Sequence, residues 1–591
     1  MSFRRLVWFP SLLFLVLLGS HSVAETNRRF YTRAVARAQS ASVRRVYVPY
    51  NVPGQEAALF WFGEVNPDDN YADVRMGYKD EYLYVHLNII DRRLWYDEAP
   101  SSTTLTDWDA ISLYLAPDGY AADLYRFDAQ LVWWEEREPY QAAFHYDAGV
   151  WVLTTVPFTT ISSWSGDVPN TNVDDRGWSL LCRVPYTSLG LAGRPAAGTV
   201  WRVAVVLHDR DTAAGLVDSA QVWPEAFVPD TLATWGELIF GLPAPYTPPP
   251  AVLGGEITIR HGLDGAIVSD ADVGGSSDCG DLAGPDYFPA WGELNYAGKE
   301  FLNVQNLGYI SEWPCFSKYY VTFPLTAPAD DAIVLSATLT LYQSGNAGEG
   351  ETPGPEPSYI QVFTVAEDWD EHTITWNNAP WAGDYVTATW VTPLATAPPW
   401  PGIPRHWDVS AAVVEAHTAG TPLRLALYSP DWDFHSGKYF HSSDVAGTGE
   451  GRPTLTVAWG LPLAQVEKAA YPSEADYGET VAYTLNWQGT GATLVLTDTL
   501  PSSLTWAGDV TMSGTQVMPV YHPGQHLLTW EDAPAFGEAV TIMYIATVNT
   551  HARETIVNVV ELVDQEGRRT TTTSIVIANP YRCYLPLLLK P

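Results

Sequence analysis

The sequence is poor in cysteine and in basic residues. Four cysteines occur among 591 residues and none forms a Cys-x-x-Cys pair, which argues against a thiol-based zinc cluster or redox motif. Lys and Arg number 32 against 68 Asp and Glu, a formal net charge of −36. That balance argues against general binding to nucleic acid or anionic lipid, because both require a positive field.

Motifs of catalysis and of membrane insertion are also missing. The chain has no Gly-x-Ser-x-Gly elbow, no His-Glu-x-x-His and no Walker-type phosphate loop. Beyond the N-terminus no apolar run approaches ~18 residues, so we expect no membrane span in the mature chain. Acidic pairs are plentiful, but whether two carboxylates flank a sugar depends on a distance that a sequence does not give. We therefore expect a binding protein and not an enzyme.

Aromatic residues and turn formers are abundant instead. The 25 Trp, 32 Tyr, 45 Gly and 44 Pro favour many short strands joined by loops. Residues 82–89 alternate between aliphatic and polar or tyrosine side chains, which predicts a strand with one buried and one open face. Helical periodicity is weak and is found only at 409–417.

The N-terminus has the pattern of a signal peptide. Arg4 and Arg5 precede the apolar run 6–19, and small residues at Ser22 and Ala24 predict cleavage after Ala24. We therefore expect the protein to be secreted or exposed at the cell surface. The stretch that follows is rich in Arg and shows no periodicity, so it is predicted to be a flexible arm.

Composition breaks divide the mature chain. Residues 241–255 are rich in Pro and Gly, and Gly460 to Pro462 mark a second break after a predicted strand. The predicted segments are a signal peptide (1–24), a basic flexible arm (25–45), a β-sandwich (46–240), a Pro-rich linker (241–255), a second β-sandwich (256–460), a third (461–578) and a C-terminal tail (579–591).

Export permits disulfide formation. Cys279 and Cys315 lie in one predicted segment and are the natural pair. Cys182 lies in an apolar, strand-like run and is predicted to be a buried thiol.

Residues 46–240 resemble carbohydrate-binding module family 9 and the related DOMON-type sandwiches. Four runs carry the resemblance, at 59–64, 70–75, 91–95 and 106–111; they contain an early Trp, a strand that ends in Asp91, and a Trp-Asp pair that opens another strand. The resemblance implies a β-sandwich that binds carbohydrate. It also implies calcium, which family-9-like modules commonly bind.

The other two sandwiches resemble bacterial surface modules. Residues 256–460 resemble the DNRLRE family through 317–323, 336–342 and 369–380, and some members of that family are classed as carbohydrate-binding. Residues 461–578 are similar to DUF11 repeats through 478–485 and 497–501. Modules of the latter type usually serve as spacers.

Flat aromatic side chains can stack on the C–H faces of sugars with little loss of entropy. Trp133 and Trp134 cannot both face inward on a strand, because adjacent side chains alternate. The candidate carbohydrate-binding residues are Trp95, Tyr96, Trp108, Trp133 and Trp134. The alternative for each of them is a place in the core of a large sandwich.

Calcium is the ion that the acidic loops favour, because hard cations take oxygen ligands. The candidate ligands are Asp107, Asp109, Asp264, Asp270 and Asp272. Solvated acidic loops without an ion are the alternative.

Taken together, the sequence predicts an all-β protein with three β-sandwich domains in series. We expect a monomer that binds polysaccharide or cell-envelope glycan without transforming it. Two alternatives stay open: a structural or protein-adhesion spacer of the cell envelope, and an unrecognised enzyme that acts on polysaccharide.

Overall fold

Short strands make up most of the regular structure, and the predicted all-β chain with three β-sandwich domains is confirmed. The computed structural model describes residues 43–52, 54, 56–117, 123–133, 137–215, 220–279, 287–325 and 332–581. The predicted signal peptide, residues 25–42 of the predicted arm, Trp134 and the tail from residue 582 lie outside the described residues.

The first sandwich packs a sheet of order β1-β13-β11-β5-β6-β7-β8, with β12 beside β11, on a sheet of order β2-β3-β4-β10-β9. Its strands are β1 (Arg45–Val48), β2 (Ala58–Gly63), β3 (Tyr71–Tyr78), β4 (Tyr82–Ile90), β5 (Ala110–Ala116), β6 (Tyr125–Gln130), β7 (Gln141–Asp147), β8 (Val150–Thr154), β9 (Thr159–Ser165), β10 (Gly177–Pro185), β11 (Val200–His208), β12 (Gln221–Trp223) and β13 (Gly236–Phe240).

The second sandwich has sheets of order β14-β24-β18-β23-β16, with β21 beside β18, and β15-β17-β22-β19-β20. Its elements are β14 (Ala251–Arg260), β15 (Ser269–Gly274), α1 (Tyr287–Trp291), β16 (Phe301–Val304), β17 (Ser317–Phe323), β18 (Ile333–Asn346), β19 (Ser358–Thr364), β20 (Tyr385–Val391), β21 (Ile403–Asp408), α2 (Ser410–Ala419), β22 (Leu423–Tyr428), β23 (Lys438–His441) and β24 (Thr454–Pro462). Helix α2 confirms the helical periodicity read at 409–417.

The third sandwich has sheets of order β25-β27-β32-β29 and β26-β34-β33-β28-β31-β30. Its strands are β25 (Val466–Tyr471), β26 (Glu474–Ala475), β27 (Thr480–Gln488), β28 (Leu494–Thr499), β29 (Leu504–Ser513), β30 (Val520–His522), β31 (Leu527–Asp532), β32 (Ala539–Val548), β33 (Glu554–Asp564) and β34 (Arg569–Ala578). Inside it a buried ion pair joins Lys468 to Asp498 at 2.6 Å, and Tyr544 donates a hydrogen bond to the same carboxylate at 2.8 Å.

The described chain divides into two compact units. One takes in 43–245, 258–325 and 338–456, and the other takes in 246–257, 332–337 and the chain from Val457. The first and second sandwiches therefore belong largely to one unit.

The segment expected to be a Pro-rich linker at 241–255 ends in a strand, because β14 begins at Ala251. Its glycines lie beneath an aromatic ring: a Cβ on Gly254 would lie 2.3 Å from the ring of Trp459. Gly460 likewise lies inside β24, where a Cβ would lie 2.7 Å from the carbonyl oxygen of Val252. These glycines therefore permit close packing of β14 and β24.

The second sandwich covers the outer face of the smaller sheet of the first sandwich. One apolar cluster, here called the shared core, contains Leu59, Trp61 and Tyr71 from the first sandwich together with Trp376 and Tyr428 from the second. For this reason the open face predicted for residues 82–89 is found only at Tyr82 and Tyr84, which are half-buried. His86 and Asn88 of β4 are both buried, and the side-chain amide of Asn88 donates to the carbonyl oxygen of Leu307 at 3.0 Å.

A buried lysine lies within the shared core. The Nζ atom of Lys318 lies 3.4 Å from the ring centroid of Trp376, 4.6 Å from that of Tyr71, 4.8 Å from that of Trp61 and 5.4 Å from that of Tyr428. Electron-rich ring faces attract a cation most strongly where water is excluded. Burial lowers the pKa of Lys318 well below its usual value.

Charged groups of β3 complete this contact. The carboxylate of Asp73 opposes the fall in the Lys318 pKa and accepts hydrogen bonds from Tyr428 at 2.8 Å and from Asn306 at 3.0 Å. Arg75 donates to the carbonyl oxygens of Pro430 and Leu307, each at 3.1 Å. Both polar side chains of the first sandwich therefore find partners in the second, as buried polar groups require.

The C-terminal end of the predicted arm is part of the fold. Arg45 opens β1, and Arg44 is buried and donates to the carbonyl oxygen of Ala382 at 2.9 Å. Arg44 also pairs with Glu225 and Glu367. Because these partners fix both arginines, residues 44 and 45 are not the flexible segment that their composition predicted.

The cysteines follow the sequence prediction where they are described. Cys279 and Cys315 form a disulfide, and Cys182 is a buried free thiol. Burial raises the pKa of the Cys182 thiol to about 12.

We expect Trp61→Ala to destabilise the unit that contains the first two sandwiches by about 3–5 kcal/mol, because the substitution leaves a cavity in the shared core. Chemical denaturation of the mature chain, followed by circular dichroism, measures this loss. Trp133→Ala removes an exposed ring and should change stability by no more than about 0.5 kcal/mol. Equal effects of the two substitutions would contradict the structure.

Candidate functional site

The first two predicted sugar-binding residues lie at one end of the first sandwich. Trp95 is only 6% exposed, so the prediction that its ring stacks on a sugar is wrong in this structure. Its main-chain N–H donates to Asp109, and its carbonyl oxygen accepts from the N–H of the same residue at 3.1 Å, which holds the backbone at Trp95 against the start of β5. Tyr96 is half-buried, and its ring centroid lies 6.0 Å from that of Tyr140.

An arginine covers one face of Trp108. The guanidinium of Arg210 lies 3.9 Å from the ring centroid of Trp108. Hydrogen bonds to the carbonyl oxygens of Asp107 at 3.1 Å and Thr212 at 2.9 Å fix that guanidinium. Trp108 therefore has at most one face left for a ligand.

Trp133 is the exposed aromatic residue among the predicted candidates that the structure describes. Its side chain is 45% exposed, and its ring meets that of Trp164 in a T-shaped contact at 4.9 Å. Trp164 packs in turn against the core of the first sandwich. The pair therefore combines a supporting ring with an accessible one, an arrangement suited to stacking on an apolar ligand face.

The loop that carries Trp133 is fixed to β9. Ser162 donates a hydrogen bond to the carbonyl oxygen of Val132 and accepts one from the Val132 N–H. Buried Arg137 adds two further hydrogen bonds to β9, because it donates to Thr160 at 2.9 Å and to Ser162 at 3.1 Å. A ring held in this way loses little conformational entropy when it binds a ligand.

Three buried carboxylates meet at the end of the same sandwich. Asp91 directly follows β4, Asp109 directly precedes β5, and Asp209 directly follows β11. Because β5 and β11 are antiparallel neighbours with His208 opposite Ala110, two of the acids are adjacent, and Asp91 joins them from the other sheet. Each offers a carboxylate oxygen, and these three atoms lie within 4.8 Å of one another.

Asp91, Asp109 and Asp209, here called the triad, are buried close together, which disfavours their ionised forms. Burial raises the pKa of Asp91 well above its usual value, and the neighbouring Asp209 adds to the rise. Burial likewise raises the pKa of Asp109, with contributions from Asp91 and Asp209. The N–H groups of Arg93 and Arg210 donate to the first and second of these carboxylates, each at 2.9 Å. Like charges in a low-dielectric site favour protonation or a bound cation.

The triad fits a hard divalent cation better than the predicted ligand set does. The Oδ2 atom of Asp91 is buried and has no hydrogen-bond partner among the described residues. Carboxylate oxygens are the ligands that Ca²⁺ prefers. Asp91, Asp109 and Asp209 would hold such an ion, whose charge would offset the repulsion between them. Of the predicted ligands, Asp109 alone belongs to this group.

The remaining predicted ligands do not form such a cluster within the described chain. Asp107 and Asp264 are exposed. Asp270 accepts from Tyr319 at 3.1 Å, and Asp272 accepts from Ser276 at 2.7 Å. Both carboxylates are buried and accept hydrogen bonds from protein donors, although the Oδ1 atom of Asp272 has no hydrogen-bond partner among the described residues.

Sequence reasoning missed Asp209 and recognised Asp91 only as the end of a strand. The available signal is that each acid of the triad directly adjoins the end of a strand with an apolar core, as in Ile90-Asp91, Asp109-Ala110 and His208-Asp209. Only the strand pairing shows that these three ends coincide.

Comparison with known proteins gives one family match. Residues 291–455 match the sequence model of carbohydrate-binding module family 96, and this range extends from α1 to the beginning of β24. No curated protein sequence matches the chain significantly. The resemblances to the DNRLRE and DUF11 families stay predictions.

Similar solved structures are distant. A carbohydrate-binding module of family 9 from Caldicellulosiruptor kristjanssonii, in complex with cellotriose, is 16% identical and covers 34% of this chain and 95% of its own, with a TM-score of 0.24. The collagen-binding domain of a Staphylococcus aureus adhesin is 11% identical and covers 19% of this chain and 95% of its own, with a TM-score of 0.16. At these scores neither similarity carries an argument about function.

Within the described residues, no helix has the length and apolarity needed to cross a bilayer.

We expect Ca²⁺ to raise the melting temperature of the mature chain and chelation to lower it, because a cation relieves the repulsion within the triad. Asp91→Asn removes one charge and should greatly reduce the Ca²⁺-dependent shift in a thermal melt. Asp264→Asn, at an exposed acid outside the triad, should keep the full shift. A Ca²⁺ response that is the same in both variants would contradict the assignment.

The stability of the unit that contains the first two sandwiches should also depend on pH through the carboxyl group of Asp270. Burial raises its pKa to about 7 when folded. A carboxyl group whose pKa is higher in the folded chain contributes its full stability below its unfolded pKa of about 4 and loses that contribution as the pH rises through the folded value. The free energy of unfolding should therefore fall between pH 4 and pH 7, and Asp270→Asn should flatten that fall. Urea denaturation across this range tests it, and an Asp264→Asn control should follow the wild type.

Proposed function

We propose that this protein is an exported, monomeric, non-catalytic carbohydrate-binding protein, secreted or held at the cell surface. The match of residues 291–455 to carbohydrate-binding module family 96 carries the proposal, because it coincides with most of the second sandwich. The first sandwich contributes a second binding surface at Trp133, and the third sandwich serves as a spacer.

Exposure and support at Trp133 favour sugar binding there. An indole ring that is 45% exposed and is held by a T-shaped contact with Trp164 offers an apolar surface of the kind that stacks on pyranose C–H groups. The chain as a whole is acidic. Neutral glycans are thus the natural class of ligand, because a polyanion would be repelled.

Calcium supports this surface indirectly. The main-chain carbonyl oxygen of Asp109 accepts a hydrogen bond from the N–H of Leu131 at 2.8 Å, two residues before Trp133. An ion held by Asp91, Asp109 and Asp209 would therefore fix the base of the loop that presents the ring. Its role is structural, and the sugar is bound by the protein.

A polysaccharide array with the mature chain, from Glu25, tests the proposed function. We expect binding to at least one neutral glycan, with weaker binding after chelation. Trp133→Ala should reduce the affinity of the first-sandwich surface about tenfold, which corresponds to about 1.4 kcal/mol. Trp390→Ala is the matched control, because it removes another partly exposed Trp on the second sandwich.

Other results would redirect the interpretation. A folded sample that binds no glycan, with or without Ca²⁺, would overturn the proposal in favour of a structural or protein-adhesion spacer. Release of reducing ends from a polymer would indicate an enzyme instead.

A further inference from the structure

We propose that the second sandwich carries its own saccharide-binding platform, formed by Phe301, His441 and Trp400, which takes neutral polysaccharide and excludes polyuronates. This inference deepens the proposed function, on which it rests, by assigning a site and a ligand class to the segment that matches the family model.

The three rings form a row on the outer side of one sheet. Phe301 opens β16 and lies directly opposite His441 of β23, with ring centroids 5.3 Å apart. The ring centroid of Trp400, which precedes β21, lies 5.1 Å from that of the imidazole. The flanking core positions Leu302 and Phe440 point to the opposite face, so the row is not part of the sandwich core.

Exposure is concentrated at the two ends of the row. Phe301 is 45% exposed and Trp400 is 42% exposed, whereas His441 between them is 8% exposed. Two accessible rings with a recessed polar ring between them leave apolar faces for sugar C–H groups on both sides of a polar centre. Ligand sites typically combine an apolar lining with a few placed polar groups in this way.

The platform is held in place before any ligand binds. The indole N–H of Trp400 donates to the hydroxyl of Thr448 at 3.2 Å. Beneath the ring, Gly451 permits the approach, because a Cβ there would lie 2.9 Å from Trp400 and 3.2 Å from His441. Strand pairing fixes Phe301 and His441. Such pre-organisation lowers the entropic cost of binding.

Polar groups at the centre of the row suit sugar hydroxyls. The Nδ1 atom of His441 is buried and has no hydrogen-bond partner among the described residues. Burial lowers the pKa of His441, so at neutral pH its ring can both donate and accept a hydrogen bond. An unsatisfied buried polar atom is costly, and a sugar hydroxyl that reaches the imidazole can relieve that cost.

Charge at the platform selects against acidic sugars. Glu300, next to Phe301, is exposed and its carboxylate acts electrostatically on His441. The basic groups nearby are already engaged: Lys299 pairs with Asp278 at 3.0 Å, and Arg452 donates to the carbonyl oxygens of His261 and Val445, each at 3.1 Å. A uronate would therefore meet the Glu300 carboxylate, while Lys299 and Arg452 are already paired with other groups.

Affinity electrophoresis of the mature chain in gels that contain hydroxyethyl cellulose, galactomannan, xylan or polygalacturonate tests the platform. We expect retardation by at least one neutral polymer and none by polygalacturonate. Phe301→Ala and Trp400→Ala should each weaken the retained interaction about tenfold or more, because each removes a stacking surface. Trp390→Ala should leave it unchanged, and thermal melts of all variants should match the wild type.

The possible outcomes separate this inference from the proposed function. If the wild type binds a neutral polymer and only Trp133→Ala weakens it, the platform is overturned while carbohydrate binding stands. If polygalacturonate retards the chain as strongly as a neutral polymer, the ligand class is overturned. If no glycan binds in this assay or on the array, the proposed function fails and the platform fails with it.

Phe301 lies in β16, whereas Trp400 precedes β21. If one of the variants Phe301→Ala and Trp400→Ala fails to fold, the other therefore still tests the platform. Phe301→Ser serves as a further variant that keeps the strand pairing of β16.

Discussion

The packing of the second sandwich on the smaller sheet of the first is the contact on which the rest of this structure depends. Lys318 lies buried among aromatic rings from both sandwiches, and Asp73 and Arg75 reach across to donors and acceptors of the second. Without the second sandwich Arg75 would lose its carbonyl partners, and Asp73 would keep only the hydroxyl of Tyr71 among its buried donors. Trp61 would be left on an open face. Their burial is acceptable only because each is paired.

This contact determines how the candidate binding surfaces are presented. Trp133 and the Phe301–Trp400 row lie in the same compact unit. Two weak sites held in one unit can engage one polymer simultaneously only when its repeat matches their separation, but they then gain strongly in avidity. Long, regular glycans meet that requirement better than short oligosaccharides do.

The triad of Asp91, Asp109 and Asp209 shows the opposite use of buried charge. In the shared core, protein groups compensate the charges. At the end of the first sandwich, three acids converge and their repulsion raises the pKa values of Asp91 and Asp109. Three ionised carboxylates this close would repel one another at neutral pH, and a bound cation would offset that repulsion.

Local pattern was sufficient for several features. Alternation identified β4, Gly and Pro content together with strand patterning indicated three β-sandwiches, and proximity in sequence paired Cys279 with Cys315. The same reasoning gave two adjacent tryptophans with at least one facing outward, and Trp133 does so. These features depend on a residue and its near neighbours, for which period and spacing are direct physical consequences of backbone geometry.

Other features required contacts between residues far apart in the chain. Trp95 looked accessible in a loop, yet it is buried, and hydrogen bonds to Asp109 hold its backbone against the start of β5. The sequence placed His86 and Asn88 on an open strand face, yet the second sandwich, which begins more than 150 residues later in the chain, covers them. The triad, the shared core and the row of Phe301, His441 and Trp400 each join segments distant in sequence. By itself the sequence determined the strands and the acidic character of this protein. The tertiary structure alone decided which faces are buried and which acids and rings meet, because those depend on strand pairing and sheet packing, which no local pattern encodes.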